Sequence, residues 1–269
     1  MSAADRIARA LFAFYMAAFF IYLFAPLVVM SAATFNTSRF PTVTPWQGTT
    51  LQWFTALWND RPMWQSVWTS IVVAFFVVLV ALPVGTAAAL ILTSLHARAR
   101  SFLYALMVSP LLTPGVVIGI ATLVLWRQLG VGGGIFLIVV AQASFIICYV
   151  MLMVAARLQR FDRTQEEAAL GLGASKFMVF RRILLPFLKP ALIAAAFLAV
   201  LQSIENYNTT LFVRGFDTPL TVYIATKVRT GLTPAVNALA LVMIAITILG
   251  AVAYEIARRR QAAAAPKGD

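Results

Sequence analysis

The chain has 269 residues, of which 62% are hydrophobic and only 11% are charged, whereas a soluble domain is about 45–50% apolar and about 25% charged. This composition excludes a disordered chain, and the single cysteine excludes a disulfide-rich secreted scaffold. The formal net charge of +12 does not indicate a nucleic-acid binder, because the basic residues lie between apolar runs and form no continuous patch. Lipid is therefore the expected solvent of this chain.

Six stretches of the chain are long and apolar enough to cross a membrane as helices. A hydrocarbon core about 30 Å thick needs roughly 20 apolar residues per helix. Such stretches lie at 11–33, 67–95, 102–126, 135–157, 190–212 and 234–257. The first exceeds the roughly 7–15 residues of a signal-peptide core, which favours an uncleaved anchor. We therefore predict an all-α integral membrane protein with six transmembrane helices.

The distribution of Lys and Arg predicts how these helices are oriented. With both termini cytoplasmic, 15 of the 21 basic residues fall on the cytoplasmic side and 6 outside, as the positive-inside rule requires. The basic surplus thus reflects orientation. We predict an N-terminal anchor and outer loop over 1–66, a core transmembrane domain over 67–257, and a cytoplasmic tail over 258–269.

Two outer segments have distinctive sequences. The first, 34–66, is rich in tryptophan, which is typical of an aromatic belt at the membrane interface but also suits a docking surface for an extracytoplasmic partner. Its tryptophans are Trp46, Trp53, Trp58 and Trp64, with Trp68 just inside the next stretch. In the second, residues 219–224 predict a short helix on the membrane surface.

Glycine and proline residues in the middle of the chain indicate a broken helix and a turn. In the third stretch, Pro110, Thr113 and Pro114 interrupt the apolar run, and proline disfavours a helical conformation in the residue before it. A broken helix here could form a gate or only a packing kink, and both interpretations stay open. Between the third and fourth stretches, the glycines at 132–134 predict a tight turn.

The connection 158–189 is the longest predicted cytoplasmic loop. Thr164 and Glu167 have the spacing of a capping box, which predicts a helix that begins near Gln165. Glu166 and Glu167 place two carboxylates near one end of that helix. A compact helical loop outside the bilayer suits a protein-docking element, but a merely structural hairpin fits equally well.

The second half of this loop predicts a turn and another helix. Gly171 and Gly173 permit a turn with positive φ that ends the first helix. A second helix then runs over about 174–185, where basic and apolar side chains alternate at helical spacing. Pro186 is expected to end it, and Pro190 to begin the next span.

Seven positions of this loop match a known signature. The pattern EAA, three residues, G, nine residues, I-x-L-P is present at Glu167, Ala168, Ala169, Gly173, Ile183, Leu185 and Pro186. In this pattern the chain resembles the permease subunits of bacterial binding-protein-dependent ATP-binding-cassette importers. The resemblance covers about residues 60–257 and implies the six-helix type I importer fold.

The resemblance also implies roles and partners for these residues. Glu167 would pair with a basic residue of an ATP-binding subunit, and Ala168 and Ala169 would let the helix seat closely. Gly173 would supply the turn, while Ile183, Leu185 and Pro186 would pack the second helix beneath the spans. The resemblance implies that this chain lies in the bacterial inner membrane. It implies three partners: an ATP-binding subunit dimer, a second and different permease, and a periplasmic solute-binding protein.

The chain lacks the residues that catalysis would need. It contains no G-x-x-x-x-G-K-[ST] run, so ATP binding is expected on a separate subunit. The single His96 and the single Cys148 exclude a His/Cys metal cluster and a Cys–His nucleophile within this chain. We expect a non-catalytic subunit without metal or cofactor.

Glu205 is the one carboxylate deep within a predicted span. A charge at the centre of a bilayer costs about 2.5–3.5 kcal/mol, so it usually faces a cavity or a partner. Gln202, Glu205, Asn208 and Thr209 have helical spacing and would share one face of the fifth helix. This acidic stripe suits a cationic solute, although a structural carboxylate paired with another subunit is the alternative.

Within the importer family, the sequence is most similar to permeases of the spermidine/putrescine type. The similarity lies in Ser109-Pro110, in Thr113–Val117, in Glu205 followed by Asn208–Val213, and in Thr233–Ala238. It implies a polyamine or a related nitrogenous cation as solute, carried by ATP-driven alternating access. The alternative is a secondary transporter or channel that uses Glu205 as a cation or proton site.

Overall fold

The computed structural model describes residues 3–231 and 233–264, and nearly all of its regular structure is helical. One isolated antiparallel bridge joins Asn36 and Thr49. The helices are α1 (Ala3–Ala33), α2 (Gln52–Asn59), α3 (Arg61–Ser94), α4 (Ala97–Leu112), α5 (Gly115–Gln128), α6 (Ile135–Leu158), α7 (Thr164–Gly171), α8 (Lys176–Val179), a π-helical segment (Phe180–Leu184), α9 (Leu185–Glu205), α10 (Thr210–Val213), α11 (Leu220–Thr230) and α12 (Pro234–Ala264).

Each predicted stretch is largely helical, but the third, fifth and sixth differ from the prediction. Among the described residues, four continuous helical runs are long and apolar enough to cross a membrane: Ile7–Ala33, Arg61–Ser94, Ile135–Leu158 and Lys176–Glu205. The third predicted stretch is the pair α4 and α5, bent by 100°. The sixth corresponds to α12, whose apolar part is the shorter Pro234–Gly250. The prediction of an all-α membrane fold is confirmed.

The fifth predicted stretch, 190–212, is wrong at both ends. Its helix begins upstream of Pro190, since α9 starts at Leu185 and Pro186 lies in its first turn, a position where proline is tolerated. The run from Lys176 therefore continues through the predicted stop at Pro186. At the other end α9 stops at Glu205, and Asn206 is extended.

The chain forms two compact units. One consists of Pro62–Ala225, and the other joins the segment up to Arg61 to the segment from Thr226 onward. In the second of these, α1 and α2 pack against α12. The segment between α1 and α2 is held together by the buried amide of Asn36. Asn36 Nδ2 donates to the carbonyl oxygens of Thr42 and Pro45 at 2.9 and 3.2 Å.

The unit Pro62–Ala225 is built around α6. This helix contacts α4, α5, α9 and α10, and its Leu137, Ile138 and Ile146 are fully buried. Val77 of α3 and Leu188 of α9 belong to the same buried cluster. Many apolar side chains elsewhere on α3 and α9 are exposed, which fits helices whose outer faces contact lipid.

The glycines at 132–134 lie between α5 and α6 as predicted, but the hydrogen-bonded turn in this connection is at Leu129 and Gly130. The Gly134 N–H donates to the Val213 carbonyl at 2.9 Å, and the Ile135 N–H donates to Asp217 Oδ2 at 2.9 Å. These bonds attach the start of α6 to the end of α10 and to the segment that follows it. The predicted helix over 219–224 is also present, as the first part of α11.

Candidate functional site

A polar cavity of about 230 Å³ lies where two helices are interrupted. One interruption separates α4 from α5, and the other separates α9 from α10. Pockets for drug-sized ligands are typically about 300–1,000 Å³, so this cavity suits a smaller solute. Its lining consists of Pro110, Leu111, Thr113, Gly115, Ile118, Phe145, Tyr149, Gln202, Glu205, Asn206, Tyr207, Asn208 and Thr209.

Thr113 and Pro114 produce the first interruption. Thr113 has φ −85° and ψ 129°, the extended conformation that a following proline favours. The Thr113 hydroxyl donates to the Ser109 carbonyl at 3.0 Å, which satisfies an acceptor at the end of α4. Of the candidate gate residues, Pro110 and Thr113 line the cavity, whereas Pro114 caps α5.

Asn206 produces the second interruption. Its Oδ1 accepts hydrogen bonds from the backbone N–H groups of Thr209 and Thr210 at 3.2 and 3.3 Å, as a capping side chain does at a helix N-terminus. An asparagine in this role competes with continuation of the helix. The chain therefore leaves α9 at Glu205 and resumes helical structure at Thr210.

The predicted substrate-pathway residues converge for a different reason from the one expected. Gln202 and Glu205 lie on α9, whereas Asn208 and Thr209 lie in the segment after the break. A shared helical face is thus the wrong explanation, because the helix does not continue through them. All four nevertheless line the cavity, because the chain on both sides of the break contributes to its wall.

Helix α5 closes against this segment through two glycines. A Cβ atom at Gly115 would lie 2.9 Å from Thr209 Oγ1, and one at Gly119 would lie 2.6 Å from the Thr209 carbonyl oxygen. Real Cβ atoms essentially never approach a heavy atom that closely. The two broken helices can therefore touch at Thr209 only because α5 carries no side chain there.

Glu205 is the one charged side chain among the residues that line the cavity. It is exposed, and within residues 3–231 and 233–264 its carboxylate has no hydrogen-bond or ion-pair partner. A carboxylate on a polar wall attracts cations, and the attraction strengthens where water is restricted. The charge on the cavity wall therefore favours a positively charged group.

Sequence reasoning missed three aromatic side chains of this cavity. Phe145 and Tyr149 project from α6, and Tyr207 lies in the break beside Glu205. Aromatic faces attract ammonium groups by about 0.5–2 kcal/mol each. The spacing of Phe145 and Tyr149 by four residues indicates a shared helical face, but nothing in the sequence distinguishes that face from ordinary core packing.

The loop 158–189 carries the second candidate site. Helix α7 starts at Thr164, close to the predicted position, but the predicted capping box is absent. Instead Asp162 Oδ1 accepts hydrogen bonds from the Thr164 N–H and hydroxyl at 3.0 and 2.8 Å. The Thr164 hydroxyl and N–H hold the pKa of the Asp162 carboxyl below its usual value.

The turn after α7 requires Gly173 and does not use Gly171. Gly173 has φ +85°, whereas Gly171 is the last helical residue. The N–H groups of Gly173 and Ala174 donate to the carbonyls of Leu170 and Ala169 at 3.0 and 3.1 Å, which is the Schellman arrangement. Side chains around the turn are strongly exposed, Leu172 by 90% and Phe177 by 70%.

The predicted second helix is short and merges with the next span. The Ser175 hydroxyl caps it by accepting the Met178 N–H at 3.2 Å. A π-helical segment follows, which contains Ile183, and it leads directly into α9 at Leu185 and Pro186. The turn is therefore joined by continuous helix to the span that carries Glu205.

Two arginines that sequence reasoning did not select form bonds where the loop meets the long helices. Arg163 Nη2 donates to the Thr93 carbonyl of α3 at 2.9 Å. Arg157 Nε donates to the Phe187 carbonyl of α9 at 3.2 Å, and its guanidinium lies 4.2 Å from the centre of the Phe187 ring. Arg163 thus ties the loop to the end of α3, while Arg157, near the end of α6, ties that helix to the start of α9.

These features together define a membrane-embedded transport component. Residues 81–263 match the family described as the binding-protein-dependent transport system inner membrane component. The chain belongs to this family and is a permease of the type I ATP-binding-cassette importer class. The resemblance found in the loop motif is confirmed.

Two curated relatives match almost the whole chain. It is 31% identical over 248 residues to the spermidine/putrescine transport system permease protein PotC of Escherichia coli (strain K12), covering 91% of this chain and 92% of PotC. It is 33% identical over 251 residues to the putrescine transport system permease protein PotI of the same strain, covering 90% and 89%.

A solved structure shares the fold. The chain is similar to one chain in the crystal structure of a bacterial ABC transporter involved in the import of the acidic polysaccharide alginate, with a TM-score of 0.73. The alignment covers 96% of this chain and 98% of that chain at 17% identity. At this level of identity the similarity shows the fold alone.

Proposed function

We propose that this chain is the permease subunit through which a polyamine or a related small nitrogenous cation enters the cell. The observation that carries the proposal is Glu205, the single charged side chain on the wall of a small polar cavity. A dication with methylene spacers presents ammonium groups to a carboxylate and apolar faces to aromatic rings. The names of PotC and PotI support the same solute class.

The cavity offers each type of contact that such a solute needs. Glu205 supplies the negative charge, and the side-chain amide oxygens of Gln202 and Asn208 accept hydrogen bonds from ammonium N–H groups. Phe145, Tyr149 and Tyr207 supply aromatic faces. An anionic solute would meet the Glu205 carboxylate without a compensating base among the lining residues, so it is disfavoured.

Helix α7 and its turn provide the link to an ATP-binding subunit dimer. Glu166, Glu167, Ala168 and Ala169 lie on this helix, and Glu167 and Ala168 are exposed. Leu172, in the turn after α7, is a large apolar side chain that is 90% exposed and lies outside the long apolar helices, and such exposure marks a protein contact. We assign this surface to the ATP-binding subunits, with the loop and both chain termini on the cytoplasmic side of the inner membrane.

The transport cycle follows from this link. A solute-loaded binding protein docks on the outer side, ATP closes the ATP-binding subunits, and α7 moves with them. Because α8 and the π-helical segment continue into α9, the movement reaches Glu205 at the far end of that helix. A second, different permease subunit completes the pore. A secondary transporter is not favoured, since it leaves the loop 158–189 without a role.

Uptake into proteoliposomes tests the proposal. The complete complex, with its ATP-binding subunits, second permease and binding protein, is reconstituted and supplied with radiolabelled putrescine or spermidine. We expect uptake that needs ATP and persists when a protonophore collapses the proton gradient. Uptake that needs the proton gradient and ignores ATP would contradict the importer mechanism. ATP-driven uptake of neutral or anionic solutes, with neither polyamine carried, would contradict the solute class.

A further inference from the structure

Gln142 has a buried side-chain amide whose oxygen and nitrogen both form hydrogen bonds. It lies on α6 and is 1% exposed. Its Oε1 accepts a hydrogen bond from the Ser203 hydroxyl at 2.6 Å, and its Nε2 donates to Thr210 Oγ1 at 2.8 Å. Ser203 lies before the break that follows α9, and Thr210 lies after it. One side chain of α6 therefore bridges the two sides of the interruption.

The hydrogen bonds continue into the break itself. The Thr210 hydroxyl donates to Asn206 Oδ1 at 3.3 Å, and the same oxygen caps α10. On the other side of Asn206, the Thr221 hydroxyl donates to its carbonyl at 3.4 Å. The buried chain of hydrogen bonds thus runs from Ser203 through Gln142 and Thr210 to Asn206.

Three members of this hydrogen-bond chain cannot contact a solute in the cavity. Ser203, Gln142 and Thr210 are 4%, 1% and 0% exposed, and none of them lines the cavity. Polar groups inside a membrane helix bundle are expensive unless they are paired. Apolar side chains of similar shape would pack there at lower cost, so the pairing serves something other than burial.

We infer that the hydrogen-bond chain Ser203–Gln142–Thr210–Asn206 positions the segment 206–209 beside Glu205 and thereby sets the affinity for the solute. Gln142, Ser203 and Thr210 are positioning residues, and Asn206 is their link to the cavity wall. Without these bonds, Asn206 loses its anchor to α6, and Asn208 and Thr209 lose their fixed places in the wall. This inference rests on the proposed role of the cavity.

Thr210 offers a matched pair of variants. Thr210→Val preserves shape and removes the hydroxyl, which leaves Gln142 Nε2 without an acceptor. Thr210→Ser preserves the hydroxyl and loses only a methyl group. We expect Thr210→Val to raise the KM for putrescine roughly tenfold, the size of effect that leaving a buried donor unpaired produces. Thr210→Ser should stay within about threefold of wild type, with Vmax changed little in both.

A second readout does not depend on transport. Cys148 is the single cysteine of the chain, so Cys148→Ala allows Asn208→Cys to serve as a reporter on the cavity wall. Its rate of reaction with a small methanethiosulfonate should change severalfold with Thr210→Val and little with Thr210→Ser. If Thr210→Val prevents assembly, Ser203→Ala replaces it, since it removes the hydroxyl bonded to Gln142 with a minimal change in volume.

The two readouts separate the inference from the proposed function. If wild-type complex carries neither polyamine, the proposed solute class fails, and the labelling rates still decide whether the hydrogen bonds position the segment. If Thr210→Val matches Thr210→Ser in both KM and labelling rate, the positioning role is overturned while polyamine transport stands. A fall in Vmax alone, with KM and labelling unchanged, also overturns it.

Discussion

The turn at Gly173 allows a sharp test of how movement reaches the membrane helices. With φ at +85°, any residue with a Cβ atom is strained there by about 1–2 kcal/mol. A Cβ atom at Gly173 would meet no heavy atom within 4 Å, so the effect of Gly173→Ala is conformational and involves no clash. The population of the native turn should fall roughly 5- to 30-fold.

Gly171 supplies the control, two residues away. A Cβ atom at Gly171 would likewise meet no heavy atom within 4 Å, but this residue is helical, and alanine is favoured over glycine in helices by about 1 kcal/mol. In reconstituted complex we expect Gly173→Ala to lower binding-protein-stimulated ATP hydrolysis at least fivefold, with normal membrane insertion. Gly171→Ala should retain wild-type stimulation. Equal stimulation in the two variants would refute the role of the turn.

Two further predictions concern the attachment of the same loop. Arg163→Gln removes the exposed bond to the Thr93 carbonyl and should lower the amount of solute transported per ATP hydrolysed about fivefold. Arg160→Gln makes the same charge change and should leave that ratio at the wild-type value. Equal transport-to-hydrolysis ratios in the two variants would contradict the role of the Arg163 bond. Asp162→Ala should speed amide hydrogen exchange in α7. Because its folded pKa is lowered, the Asp162 contribution is complete above the unfolded value of about 3.9 and is lost as pH falls through the lower folded pKa. Exchange in the wild type should therefore approach that of Asp162→Ala only in strong acid, and a convergence near neutral pH would contradict this assignment.

The sequence predicts the helices of this fold, but it predicts only one of the two interruptions. Apolar length identifies a membrane stretch, and Pro114 marks the interruption between α4 and α5. Asn206 carries no such signal, because asparagine occurs both within helices and at caps. Its effect depends on hydrogen bonds to Thr209 and Thr210 and on Gln142, which lies more than sixty residues earlier.

The loop shows the same division between local and distant causes. Gly173 is predictable because positive φ is a local requirement, and the motif places it correctly. The hydrogen bonds that Asp162 accepts at the start of α7 are not predictable, because Thr164 with Glu167 matches the capping pattern equally well. Pro186 predicts a stop, but it lies in the first turn of α9, directly after a π-helical segment, and proline is tolerated in a first turn. The bonds of Arg157 and Arg163 depend on tertiary contacts and have no sequence signature.

The kinetic effect of Glu205 variants tests the central claim most directly. Glu205→Gln keeps the shape and removes the charge, while Glu205→Asp keeps the charge and shortens the side chain. Between the limits of an exposed and a buried ion pair, loss of the charge should raise the KM for putrescine roughly 10- to 100-fold. We expect that increase in Glu205→Gln with basal ATP hydrolysis preserved, and a smaller one in Glu205→Asp. Wild-type KM in Glu205→Gln would contradict the claim that this carboxylate binds the solute.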